Sequence, residues 1–224
     1  MVTVDEQIYR IRFGTEDFIR KQELWDVLCR HWFTRFIPSD ARVLDVGAGA
    51  CGFINNIPAR EKIAIDHNPD FRGFANPEVR CIVAELCEGL AELPSESVDV
   101  VMGSNVFEHL PDHKYLFSCL KEIFRVLRPG GILIVMQPNF AVVKQSFYDF
   151  SDHTLPLTDK GMAEAIRANG FEIRYIKARF LPYTTRSRYP AWPFLVRLYL
   201  RVPFVHWFMG GQMFFVAEKK GSCP

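Results

Sequence analysis

Two short stretches of this sequence gather side chains able to move a proton. YDFSDHTLPLT brings Tyr148, Asp149, Asp152 and His153 close together, and FEHLPD holds Glu108 and His109. Histidine exchanges a proton near neutral pH, and a neighbouring carboxylate can orient its ring. His153, His109 and Tyr148 are therefore the candidate catalytic groups. Asp149, Asp152 and His153 also carry atoms that ligate divalent ions. Three such residues in one short segment are not a specific signature, and no metal is assigned. His31 and His206 lie in aromatic surroundings that suit packing, and His113 falls at an exposed helix start.

A third stretch, VLDVGAGACGF, turns from an apolar run into glycine, with Asp45 inside the run. Gly47 and Gly49, with Ala48 between them, let the backbone turn sharply and let a ligand approach the main chain. With Gly52 they match the bare pattern G-x-G-x-x-G of a nicotinamide dinucleotide site, where pyrophosphate rests on a helix N-terminus. Further on, IAIDHNPDF places Asp66 at a strand end, about twenty residues past the loop, where a carboxylate can take ribose hydroxyls. That placement suits any cofactor with a ribose. Two residues past Gly49 stands Cys51, whose plainest role is packing against the first helix.

These groups need a scaffold that brings loop, strand ends and histidines to one edge. Short apolar runs at Arg42–Val46, Lys62–Asp66, Val79–Val83, Val98–Gly103 and Gly131–Gln137 read as parallel strands buried on both faces. Helical patterns alternate with them. In His113–Leu127, Leu116, Leu120, Ile123, Phe124 and Leu127 share a face, and Pro129 and Gly130 end the helix. Asp159–Asn169 reads as a helix capped by Thr158, followed by strands at Phe171–Ala178 and Gln212–Glu218. Such alternation implies right-handed crossovers and a doubly wound sheet, with ligands beyond the carboxyl ends of its strands. His109, after the fourth strand, and His153, after the fifth, belong at that edge.

Two segments lie outside this alternation. Phe18, Trp25, Leu28, Trp32, Phe33 and Phe36 recur at helical spacing, so residues 1–40 are expected to form an N-terminal helical cap. Residues 180–211 form an insertion rich in Pro, aromatic residues and Arg. Phe194, Leu195, Leu198, Tyr199 and Val202 would share a helix face there, with Arg197 and Arg201 near the other side. Arg179, Arg186 and Arg188 add charge. Such an insertion suits an anionic or lipid-linked acceptor at a membrane surface, with peripheral membrane contact. The plainer reading is a lid or homodimer interface that buries the same residues.

At 224 residues the chain suits a single domain over 1–224, and its formal charge of +1 gives no field to recruit nucleic acid. Six cysteines lie scattered with no CxxC pair, as in a reduced protein. The N-terminus carries charges where a signal peptide needs its apolar region, and no run reaches the length of a membrane span. A cytoplasmic protein is the expectation.

VLDVGAGACG, IAIDHNP, SVDVVMGSNVFEHL and LRPGGILIV, in that order, resemble the successive motifs of class I S-adenosylmethionine-dependent methyltransferases over roughly Val43 to Pro138. A nicotinamide dehydrogenase has no reason to carry the NVFEHLPD and LRPGG pair. The resemblance implies an α/β, Rossmann-like fold with helices on both faces of a mostly parallel seven-stranded sheet. Its strand order would be 3-2-1-4-5-7-6, with the last strand antiparallel. It also implies S-adenosyl-L-methionine as cofactor, with Gly47, Ala48 and Gly49 along the methionine portion and Asp45 near its amino group. Asp66 would bind the ribose hydroxyls and His67 would flank the adenine. Glu85, with Leu86 beside it, stands where the family often has an Asp for the adenine amino group. Its longer side chain is a departure, as is Cys51 where many members have a third glycine. Asn105 would sit beside the transferred methyl. The segments DFSDHTLPLTDKGMAEAIRANGFEI and RFLPYTTRSR resemble small bacterial biosynthetic methyltransferases. They point to O-methylation of a sugar, lipid-linked or secondary-metabolite acceptor, against the alternative of a protein that binds the cofactor without transferring its methyl group.

Overall fold

The computed structural model describes residues 15–183 and 192–220. Seven strands form one sheet: β1 (Arg42–Val46), β2 (Glu61–Asp66), β3 (Val79–Val83), β4 (Val98–Ser104), β5 (Leu127–Pro138), β6 (Phe171–Lys177) and β7 (Gln212–Lys219). Their order is β3-β2-β1-β4-β5-β7-β6. Strands β1 to β5 run parallel, and β7 is antiparallel to both its neighbours. This is the Rossmann-like sheet expected from the sequence.

Alternation along β1 explains the layers. Leu44 and Val46 enter one core with α3 (Leu86–Ala91), α4 (His113–Val126) and α6 (Asp159–Ala168). Val43 enters the other, with α1 (Thr15–His31) and α2 (Gly52–Asn56). Successive strand side chains point to opposite faces, so an unbroken apolar run feeds both cores. Helix α4 begins where the Asp112 carboxylate accepts the Tyr115 backbone N–H at 2.7 Å, a side-chain cap. The Thr158 hydroxyl caps α6 in the same way, accepting the Gly161 N–H at 3.1 Å.

The helix expected to stop at Pro129 and Gly130 does end just before them, and both residues are part of the next strand. Helix α4 stops at Val126 and β5 starts at Leu127, which pairs with Val98; the ladder then jumps to Val100 with Ile132. The intervening Arg-Pro-Gly-Gly forms a bulge, with Gly130 at φ +78°. A short helical turn, α5 (Phe140–Val143), follows β5.

Of the N-terminal cap, residues 1–14 lie outside the described set. Helix α1 packs through Trp25 against Gly52, where any Cβ would meet the indole at 2.1 Å. The third glycine of the loop motif is thus required by a helix. Of the insertion, residues 184–191, with Arg186 and Arg188, lie outside the described set. The remainder forms α7 (Pro193–Arg201) and α8 (Pro203–Met209). Of the five residues expected to share a face, Leu195, Leu198, Tyr199 and Val202 line one cleft, and Phe194 alone lies outside it. Tyr199 turns inward and donates its hydroxyl to the Phe180 carbonyl. Among the described residues, no helix is long and apolar enough to cross a membrane.

Candidate active site

Beyond the carboxyl ends of β1, β2, β4 and β5 lies a cleft of about 1700 Å³. A site for one small molecule usually measures about 300–1,000 Å³, so this cleft has room for a nucleoside cofactor and a second molecule. Its floor includes Asp45, Gly47, Ala48, Gly49, Asp66, His67, Glu85, Leu86 and Asn105. All nine residues expected to hold the cofactor therefore share one cavity.

The loop after β1 is held open by local chemistry. Gly47 has φ +68°, and a Cβ there would meet Val106 at 2.5 Å. The Asp66 carboxylate, at the end of β2, accepts the Gly49 N–H at 2.7 Å and the Asn68 N–H at 2.9 Å. It thus ties the glycine loop to the second strand while its remaining lone pairs stay available. His67 is exposed beside it, with Nδ1 3.6 Å from the same carboxylate. Asn105, just past β4, has φ +50°, an uncommon conformation for a residue with a side chain and one that clusters at functional sites.

Cys51 also adopts the left-handed region, at φ 55°. That is why glycine suits this position and why cysteine costs something there. The thiol is fully buried, and burial pushes its pKa up, so it stays protonated and packs.

Asp45 is 3% exposed. Burial first, and then the nearby Asp66 charge, push its carboxyl well above the usual range, although it accepts the Ile54 backbone N–H. A buried carboxylate facing a cofactor cleft is matched by a ligand that brings a positive charge.

The histidines meet at the other end of the cleft. Glu108, His109 and His153 offer atoms that all lie within 4.8 Å of one another. The His109 and His153 rings pack edge to face, 4.9 Å between centroids. His109 Nδ1 lies 3.0 Å from the Asp152 backbone carbonyl and 3.3 Å from its carboxylate. A carbonyl only accepts, so Nδ1 carries the proton and Nε2 keeps its lone pair. His153 Nδ1 lies 3.4 Å from the Tyr183 hydroxyl, which also reaches the Phe147 carbonyl at 3.3 Å. Phe150 stacks on His153 and Phe147 tilts against it, locking the ring.

Two corrections follow. Tyr148 is 59% exposed and packs on Phe140 and Phe147 outside the cleft. The turn over Lys144–Asp149 carries it away from His153, so it is no catalytic candidate. Asp149 is likewise not part of the cleft lining, and the acid beside His153 is Glu108, from the β4 side. Sequence reasoning named Glu108 without giving it a role and did not single out Tyr183. Glu108 had a signal, a carboxylate adjacent to the singled-out His109, whereas Tyr183 had none before the chain was folded.

Residues 44–135 match the family model described as a methyltransferase domain. A probable S-adenosylmethionine-dependent methyltransferase of Mycolicibacterium smegmatis is 35% identical over 143 residues, 58% of this chain and 52% of that protein. A trans-aconitate 2-methyltransferase of Azoarcus is 31% identical over 148 residues, 62% of this chain and 52% of that one. The chain thus spans about half the length of these curated relatives. An S-adenosylmethionine-dependent methyltransferase structure from Archaeoglobus fulgidus superposes with TM-score 0.64 at 18% identity, covering 97% of this chain and 100% of that one. A Haemonchus contortus phosphoethanolamine N-methyltransferase, solved with S-adenosylhomocysteine, gives TM-score 0.65 at 16% identity over 99% of this chain and 61% of that one. The sheet order, the loop and the matched span over residues 44–135 are similar to those of class I methyltransferase domains. The cofactor of that class is S-adenosylmethionine.

Proposed function

We propose that this protein transfers the methyl group of S-adenosylmethionine to a hydroxyl oxygen of a small or lipid-linked acceptor. The observation that carries the reading is one cleft with a nucleoside-cofactor loop at one end and paired histidines at the other. When bound, the cofactor supplies an electrophilic methyl carbon on a sulfonium, a good leaving group. The glycine loop cradles the methionine portion, Asp66 takes the ribose hydroxyls, and His67 and Glu85 flank the adenine. Asp45 matches the positive amino group, and Asn105 lines the path between the ends. Positioning supplies much of the acceleration in such an in-line displacement. His153 takes the hydroxyl proton as the oxygen attacks, and His109, anchored on Asp152, holds the second ring edge-on to it. Lys21 is the only Lys or Arg among the described residues lining the cleft, which does not suit a polycarboxylate such as trans-aconitate. An uncharged hydroxyl on a sugar or secondary metabolite, free or carried by a lipid, fits better. Labelled methyl transfer into fractionated extracts tests this. If S-adenosylmethionine binds but no acceptor fraction yields labelled product or S-adenosylhomocysteine, the protein binds the cofactor for another purpose.

The Glu108–His109–His153 cluster also has the atoms of a divalent-ion site, with His109 braced from behind in the way metal-bound histidines are. Chelator treatment separates the readings. Turnover is expected to survive dialysis against a chelator, whereas a loss restored by added divalent ion would assign these residues to a metal.

Asp45→Asn is expected to do two opposite things. A carboxyl whose pKa is raised by folding costs stability once pH passes its ordinary range, and the cost grows until its raised value is reached. Asparagine keeps an acceptor for the Ile54 N–H and removes the charge, so melting near neutral pH should rise by a few degrees, on the order of 1 kcal/mol. The gain should vanish at acid pH. Cofactor affinity should fall by about tenfold at neutral pH. A variant that binds as wild type would remove Asp45 from the cofactor site.

A further inference from the structure

One outer face carries a combination that methyl transfer does not use. Phe194 on α7, with Phe204, Trp207 and Phe208 on α8, are 59–71% exposed, and none of the four lines the cleft. Contiguous exposed apolar side chains on this scale mark an interaction surface. Beside them lies a pocket of about 420 Å³, whose walls bring together His31, Arg35, Lys177, Arg197 and Arg201 around Trp32. No carboxylate lines it. Among the described residues, Arg35, Lys177, Arg197 and Arg201 make no ion pair. The crowding is felt: neighbouring arginines, after burial, push His31 and Lys177 below their usual values. Lys177 nevertheless has a fixed place, donating to His206 Nδ1 at 2.8 Å. The sequence reinforces the bias, with no Asp or Glu from Ile173 to Ala217.

Helix geometry interleaves the two features. At about 100° per residue, Arg197 and Arg201 fall within about 60° of Phe194, on the side away from the cleft-lining residues of α7. Their stems can lie along an apolar layer while the guanidinium groups stay in a polar one. Arg179 repeats the arrangement, 5.8 Å from the Trp207 ring centroid and donating to the Trp207 carbonyl at 3.0 Å.

We propose that α7 and α8 dock on an anionic phospholipid surface, their aromatic side chains entering the headgroup–acyl boundary while the basic pocket takes a lipid phosphate. A helix pair with a wide apolar face bordered by arginines has the form of an interfacial anchor. A second copy of this chain is the poorer occupant. Face-to-face pairing would bring two sets of uncompensated cations together, whereas lipid phosphates neutralise one. The inner sides of the same helices wall the cleft, through Leu195, Val205 and Met209. Docking therefore sets that wall against the lipid, where a lipid-linked acceptor is presented. This last step rests on the methyltransferase reading; the docking itself does not.

Sedimentation of the full chain with phosphatidylcholine vesicles, with and without phosphatidylglycerol, tests the docking. The protein is expected to sediment with the anionic vesicles, stay free of the neutral ones, and release as salt rises. Arg197→Glu with Arg201→Glu, and separately Trp207→Ser with Phe208→Ser, should each lower partitioning by at least about tenfold. Calorimetric S-adenosylmethionine binding, unchanged in both variants, shows that they fold. Wild-type protein left in the supernatant of both vesicle types at low salt overturns the proposal. So does tight binding of inorganic phosphate without vesicle binding, which would mark a soluble-anion site. A concentration-dependent dimer that excludes vesicles overturns it too. Cofactor binding without docking leaves the methyltransferase reading standing, and docking without cofactor binding removes only the lipid-linked acceptor.

Discussion

Asp66→Ala is expected to weaken S-adenosylmethionine binding by about a hundredfold or more, measured by calorimetry at neutral pH. The carboxylate accepts two backbone N–H groups, Gly49 at 2.7 Å and Asn68 at 2.9 Å, and these fix the loop relative to β2. Alanine removes both anchors together with the proposed acceptors for the ribose hydroxyls. Hydrogen bonds from two ribose hydroxyls to a charged carboxylate would contribute about 1.5–3 kcal/mol each, so losing both exceeds the about 2.7 kcal/mol of a hundredfold change. Asp66→Asn, which keeps one oxygen, should fall between alanine and wild type. A structural role alone would lower the melting temperature and leave the affinity of the folded protein intact. Unchanged affinity in a folded alanine variant would sink the ribose assignment.

His153→Ala is expected to reduce kcat by roughly 10²–10⁴, the usual contribution of a positioned base, with S-adenosylmethionine affinity kept. The ring is fixed by Phe147, Phe150 and the Tyr183 hydroxyl rather than by the cofactor loop, so only turnover should suffer. His109→Ala should also slow the reaction. The double variant should lose less than the product of the single effects, because the two rings touch and act as a unit. Near-wild-type kcat in His153→Ala would transfer the base to His109. Wild-type rates in both single variants would show that the acceptor needs no base.

The cofactor half was legible because its chemistry is local in sequence. A strand that runs straight into glycine, and a second strand ending in Asp66, place their groups with little help from the rest of the fold. The sheet was legible for a similar reason, since β1 to β4 are continuous apolar runs with turn residues after them. The acceptor half depends on contacts between distant segments. His109 and His153 belong together only because Thr154 and Leu155 donate their backbone N–H groups to the Glu108 carbonyl, bringing the two loops side by side. Tyr148 looked equivalent to His153 by spacing, but a tight turn sends it to solvent. On α7 the apolar spacing marked the cleft-facing side, since Leu195, Leu198, Tyr199 and Val202 all line the cleft, and only Phe194, at the edge of that stripe, points away. The Arg-Pro-Gly-Gly bulge was hidden because proline and glycine signal a turn whether or not a strand pairs around them.

The contact between Trp25 and Gly52 bears on where this domain begins. The family match starts at Leu44, and a boundary drawn there would discard α1 as an appendage. Yet the indole occupies the space that any side chain at position 52 would need, and Trp25 and Leu28 belong to the cleft wall. Cutting the chain before β1 would remove Phe33 and so uncover Phe53, which is almost fully buried and packed against that ring. It would also unroof the cofactor loop. The unit that encloses the cleft is therefore larger than the span that the family model matches, and the N-terminal helix belongs to it as a wall.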